Sequence, residues 1–138
     1  MREILFRGKT SKGEWIYGFY MNKGVKDIIV DTTRGSLGFG LEVDGETVGQ
    51  YTGLNDKNGN KIFEGDIVKA IQTEYDEYKE NEPFIFSFVG EMIFDDACFG
   101  LKAKNGIGFY SPMWKEEDVE LEVIGNITDN PELLEENL

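Results

Sequence analysis

The chain has no histidine and a single cysteine, Cys98, among its 138 residues. Without imidazole, Ser-His-Asp and Cys-His catalysis are excluded, together with imidazole metal ligation and histidine acid–base chemistry. One thiol forms no disulfide within the chain and builds no thiolate zinc site. With no histidine to raise its thiolate fraction, Cys98 beside Phe99 reads as a small apolar residue of the interior, not as a nucleophile. Long apolar runs are also missing. The start, MREILFRGKTSKGEW, returns to charged residues at once, so it reads as neither signal peptide nor membrane anchor, and a cytoplasmic location is expected.

Positive charge is the other scarcity: 14 Lys and Arg stand against 27 Asp and Glu, a net charge of -13. A reader of nucleic acid needs cations to neutralise phosphates, so this balance argues against that class. The charge is unevenly spread. Residues 1–30 are net +3 and residues 114–138 net -8, an asymmetry suited to head-to-tail association of subunits or to recruiting a basic partner.

What is present is the composition of a folded protein, 40% apolar and 13% aromatic, in a length suited to one domain. Residues 1–138 read as that domain, with sub-lobes at 1–46 and 47–138. Short apolar and aromatic stretches alternate with turn formers. Glu3–Arg7 and Glu14–Tyr20 read as a hairpin, with Trp15, Tyr17 and Phe19 forming its core-facing side by period two. Asn22–Gly24 reverses the chain into Asp27–Asp31. The glycine-rich TTRGSLGFG that follows lacks the GxGxxG spacing and the helix of a phosphate loop. Asp44-Gly45 suits a two-residue hairpin turn between Leu41–Val43 and Thr47–Tyr51.

The stretch from Thr47 to Lys69, TVGQYTGLNDKNGNKIFEGDIVK, holds two reversals, at Asn58-Gly59 and at Glu64-Gly65-Asp66, before a strand over Ile67–Ile71. Asp56, Asn58 and Asn60 begin like a calcium loop, but Lys61 stands where its sharp-turn glycine belongs and Ile67 where its bidentate glutamate belongs. A structural turn is the better reading. Thr73–Pro83 is an acidic linker, Phe84–Val89 a strand, and Asn105-Gly106 a further hairpin. Glu120–Ile127 reads as a strand with one wet face and a core run from Ile124 to Ile127. Asn130 then caps a short helix, with Pro131 in its first turn and Glu132 at its positive end.

Asp95-Asp96 and Glu116-Glu117-Asp118 are carboxylate groups of the kind that bind magnesium or serve acid–base chemistry, yet in so acidic a chain a solvated face is the plain reading. The residues therefore name no catalytic, metal or cofactor site. The aromatics Trp15, Tyr17, Phe19 and Tyr20 on the basic first hairpin are the one place for a base-stacking platform, though no run of Lys or Arg interleaves them in sequence.

Phe6-Arg7-Gly8-Lys9 with Trp15 and Gly18, the Thr47–Lys69 stretch, and the closing VIGNITDNPELL together resemble the YopX family of phage and prophage proteins, over almost the whole chain. The resemblance implies a mainly β protein: N-terminal β-hairpins, then a small SH3-like β-barrel, then one short C-terminal helix. It also implies self-association and a bacterial host cell, and it carries no catalytic residues or cofactor. Asn58, Gly59, Glu64, Gly65, Asp66, Gly125, Asn126 and Pro131 are its structural positions. The expected function is that of a phage or prophage accessory protein, not an enzyme. It is expected to bind a basic protein partner through an acidic surface containing Glu116, Glu117, Asp118, Glu132, Glu135 and Glu136. The alternative is a nucleic-acid-binding β-barrel that uses the basic hairpin Arg2–Lys26.

Overall fold

A computed structural model describes residues 3–31, 40–74, 83–95, 98–103, 108–110 and 119–137. The chain divides into two units, Met1–Gly53 and Leu54–Leu138. Both are built from antiparallel strands.

Unit 1 contains β1 (Phe6–Lys9), β2 (Trp15–Lys23), β3 (Lys26–Val30) and most of β4 (Gly40–Asn55). Each strand pairs with the next, and β4 also pairs with β1, so the four close on themselves. Two long strands make closure possible by changing partners. Residues 15–18 of β2 face β1 and residues 19–23 face β3, while β4 serves β3 with 40–43 and β1 with 44–50. The change in β2 falls at Gly18, where a Cβ would lie 1.9 Å from the carbonyl oxygen of Val30. Only glycine lets the two backbones come so close. Gly8 belongs to the ladder, opposite Ile16, and not to the turn that follows β1, and a Cβ there would lie 2.8 Å from Cγ2 of Val43. Val43, Ile16 and Ile29 form the small core of this unit, with Phe6 and Val48 packed against it.

Two expectations are corrected here. Asp44-Gly45 is not a hairpin turn, since β4 runs through it without reversing. Asp44 Oδ1 accepts the Glu46 N–H at 3.0 Å and its carbonyl accepts the Thr47 hydroxyl at 2.6 Å, which holds a bulge opposite β1. Gly45 serves a close approach instead, as a Cβ there would lie 2.2 Å from the Asp27 carboxylate. Nor do Trp15, Tyr17 and Phe19 face the core. Ile16 is buried, whereas Tyr17 and Phe19 are 44% and 56% exposed. The period of two holds, but the inner row is Ile16 and Gly18.

Unit 2 contains β5 (Lys61–Phe63), β6 (Asp66–Glu74), β7 (Phe84–Asp95), β8 (Cys98–Lys102), β9 (Gly108–Tyr110) and β10 (Val119–Asn126). Five of these form a sheet in the order β10-β6-β7-β8-β9. Its core is Ile62, Val68, Ala70, Met92, Phe99, Leu101 and Leu121. A bulge between Val123 and Gly125 turns Ile124 outward to 38% exposure, so the expected core run is broken at its first residue. A 3-10 helix, Pro131–Asn137, follows where the short helix was expected. The Asn105-Gly106 turn, most of the acidic linker and most of the glycine-rich loop lie outside the described residues, although β8 and β9 flanking the turn do pair, Lys102 opposite Gly108.

Candidate functional site

The turn between β4 and β5 is organised by one carboxylate. Asp56 is only 7% exposed. Its Oδ1 accepts the backbone N–H of Asn58 at 3.0 Å and of Asn60 at 2.8 Å, and its Oδ2 accepts the Val123 N–H at 3.0 Å and the Asn60 amide at 3.3 Å. Gly59, at φ 84, completes the reversal, with its N–H donating to the Asp56 carbonyl at 3.0 Å. Burial pushes the Asp56 carboxyl up, but the Val123, Asn60 and Asn58 N–H groups outweigh it and hold the carboxyl below its ordinary value. Its lone pairs are spent on the backbone, so the calcium-like pattern Asp56, Asn58, Asn60 is a turn. Among the described residues no cluster of metal-ligating side chains occurs.

The same turn reaches the outer side of β10. Lys57 N–H donates to the Leu121 carbonyl at 2.9 Å, and Lys57 Nζ lies 3.4 Å from the Glu122 carboxylate. Together with the Asp56–Val123 bond, these contacts occupy backbone groups that a strand at a sheet edge otherwise offers to another chain. A cleft of about 300 Å³ lies beside the turn, lined by Leu54, Asn55, Lys57, Val119 and Glu120, but it holds no uncommitted acid–base pair.

The second reversal, Glu64-Gly65, works similarly. Asp66 is 2% exposed and accepts the Phe63 N–H at 2.8 Å across the turn. Gly65, at φ 88, donates its N–H to Met92 and accepts the Ile127 N–H, each at 2.9 Å, tying β7 to the end of β10. Gly125 is required because a Cβ there would lie 2.7 Å from Asn130 Oδ1 and 2.8 Å from Leu133 Cδ1. Asn126 Oδ1 accepts the N–H groups of Thr128 and Asp129, and Pro131 opens the 3-10 helix. These positions lie at the two turns, at the close approach of Gly125 and at the start of the 3-10 helix, with Asn58 exposed and Glu64 half-buried.

Of the expected acidic surface, Glu132 and Glu135 are exposed on the 3-10 helix. Glu116, Glu117 and Asp118, and the side chain of Glu136, lie outside the described residues. The division of the chain shows what the ends alone did not. Residues 1–53 carry seven basic and seven acidic side chains, so unit 1 is balanced and unit 2 carries the whole net charge of -13.

On the first hairpin, register interleaves cations and aromatics that sequence keeps apart: Arg7 lies opposite Tyr17 and Lys9 opposite Trp15. The Arg7 guanidinium sits 4.7 Å from the centroid of the Trp15 ring and Lys9 Nζ 5.9 Å. Arg7, however, is only 7% exposed. Its charge is used within the fold and is not presented to a phosphate.

Comparison with known proteins agrees with this architecture. No curated protein matches the chain. The crystal structure of protein EF1440 from Enterococcus faecalis is similar at 25% identity and a TM-score of 0.52, covering 97% of this chain and 99% of that one. The model of the family described as YopX protein matches residues 4–135, nearly the whole length, and the chain therefore belongs to the YopX family.

Proposed function

We propose that this chain is a phage or prophage accessory protein of the bacterial cytoplasm that acts by binding, without catalytic chemistry, and that its acidic unit 2 meets a basic protein surface. The observation that carries the reading is the partition of charge: a balanced unit 1 beside a unit with 20 acidic and seven basic side chains. Such a field steers a cationic partner and repels nucleic acid. Within unit 2 we assign the five-stranded sheet to an SH3-like barrel. Its support is the strand order, in which β6 to β9 form a meander and β10 returns beside β6. The nucleic-acid alternative loses ground because Arg7, central to the basic hairpin, is buried beneath its own neighbours.

Pull-down from bacterial lysate, followed by washes of rising salt, tests the reading. Between about 0.1 M and about 1 M salt the screening length falls from about 10 Å to about 3 Å, so a captured basic protein should elute across that range. Glu132→Lys with Glu135→Lys should weaken its retention. Retention indifferent to salt, or a mobility shift of single-stranded DNA or RNA at low salt, overturns the proposal.

A further inference from the structure

Strand β7 is longer than the stretch that β8 covers. β6 pairs with its residues 84–91, whereas β8 pairs with 91–95 alone. Among the described residues, 84–90 therefore have β6 as their one strand neighbour, and the backbone groups of every second residue point away from it. The outer side of β10 differs, since Asp56 and Lys57 occupy backbone groups there, and β9, at the other end of the sheet, spans only three residues. Proteins blunt an edge with a lysine, a proline, a bulge or an inward charge. The run FIFSFVG over 84–90 has no charge and no proline, and its register with β6 is unbroken from Glu74 opposite Phe84 to Ile67 opposite Glu91. Its side chains are uncovered as well. Phe88, opposite Ala70, packs against the core, but Phe86 continues the same row at 50% exposure, and Ile85 on the other face is 65% exposed.

We infer that residues 84–90 of β7 are a strand-docking edge, and that its occupant is an extended segment of a partner protein in which apolar and basic residues alternate. The inference rests on the acidic-surface proposal for the sign of the partner's charge, and adds where on unit 2 that partner lies. Three features select the occupant. Pairing through main-chain hydrogen bonds requires an extended segment, whatever its sequence. An apolar side chain at every second position lies beside Phe86 on one face of the sheet and covers it. The net charge of -13 on unit 2 favours a cationic segment and repels an acidic one. An edge with no guarding charge of its own is thus guarded by the field of the whole unit, which turns away acidic strands and admits basic ones.

Fluorescence anisotropy of a labelled short peptide alternating lysine and valine, titrated with the full chain, tests it, together with amide hydrogen exchange of the complex. The peptide should bind at low salt and slow exchange within residues 84–90. The same peptide with every amide N-methylated keeps its charge and loses its donors, and should bind more weakly by about tenfold. Ile85→Lys and Ser87→Lys, each with a native β spectrum by circular dichroism, should weaken binding of the unmethylated peptide by about tenfold. Ile124→Lys adds the same charge at a 38% exposed residue of β10, and should leave binding within about twofold. Should the β7 variants lose their β spectrum, the methylated peptide and the exchange pattern decide the matter on the unaltered chain. A methylated peptide that binds as well overturns the inference and leaves the acidic-surface proposal standing. So does slowed exchange at β9 or β10 in place of β7, or a lysine peptide that does not bind. A peptide alternating glutamate and valine that binds as well as the lysine peptide overturns both.

Discussion

The carboxylate of Asp56 accepts the backbone N–H of Val123 at 3.0 Å, joining residues 67 positions apart. One oxygen thus shapes the turn and the other reaches the edge of the sheet. Asp56→Ala removes the acceptor for the N–H groups of Asn58, Asn60 and Val123, and should destabilise unit 2 by about 2–3 kcal/mol. Asp56→Asn keeps one oxygen and should cost less. Chemical denaturation checks both, and an unchanged midpoint for the alanine variant would show that water replaces the carboxylate without loss.

Acid should act through the same group. The folded carboxyl of Asp56 sits below its unfolded value, so its contribution is fully present above the unfolded pKa and is lost as pH falls through the folded one. Glu91 opposes this, because burial raises its carboxyl and the nearby Lys102 offsets only part of the rise. Its charge costs stability at neutral pH and protonation relieves that cost. The expected result is a melting temperature that falls below about pH 4, less steeply in Asp56→Asn than in the parent, whereas Glu91→Gln differs from the parent above that range, where it lacks the gain that protonation of Glu91 brings.

Gly18→Ala should be among the most damaging single substitutions in unit 1. A methyl group at that position would lie 1.9 Å from the Val30 carbonyl oxygen, which is backbone and cannot rotate away. The strands must part, at a cost of about 2–4 kcal/mol, a large share of the stability of a small unit. Gly24→Ala provides the comparison. Nothing lies within 4 Å of the added carbon, and only the positive φ of 67 resists it, so about 1 kcal/mol is expected.

Arg7→Lys should not behave as a conservative change. The guanidinium lies over the Trp15 ring, 4.7 Å from its centroid, and Arg7 is almost wholly buried, whereas an ammonium there demands hydration it cannot have. A loss of about 1–3 kcal/mol is expected, together with a change in Trp15 fluorescence. A variant with native stability and native emission would mean that the site tolerates a point charge.

Much of the framework was legible in sequence because local chemistry decided it. Asn58-Gly59 and Glu64-Gly65-Asp66 turn where they do since Gly59 and Gly65 adopt positive φ. The failures share a cause of another kind. Gly18 and Gly45 look like any other glycines in sequence, but each is fixed by a strand distant along the chain, at Val30 or Asp27. Which row of β2 turns inward depended on the same non-local packing, since aromatic bulk favoured one row and the space inside a closed ring of strands admitted only the other. The interleaving of Arg7 and Lys9 with Tyr17 and Trp15 was invisible for a related reason, because it arises between strands and not along one.

The pairing of β10 with β6 also bears on synthesis. Gln72 pairs with Val119 and Asp66 with Asn126, so the first strand of the sheet is separated from its outer neighbour by about fifty residues or more. On a ribosome that adds about 5–20 residues per second, β6 waits several seconds with one side unsatisfied while β7 to β9 are made. The nascent chain is sticky during that interval, and a product ending before Val119 would remain so. Premature termination between β9 and β10 therefore leaves an aggregation-prone protein, not a shortened working one.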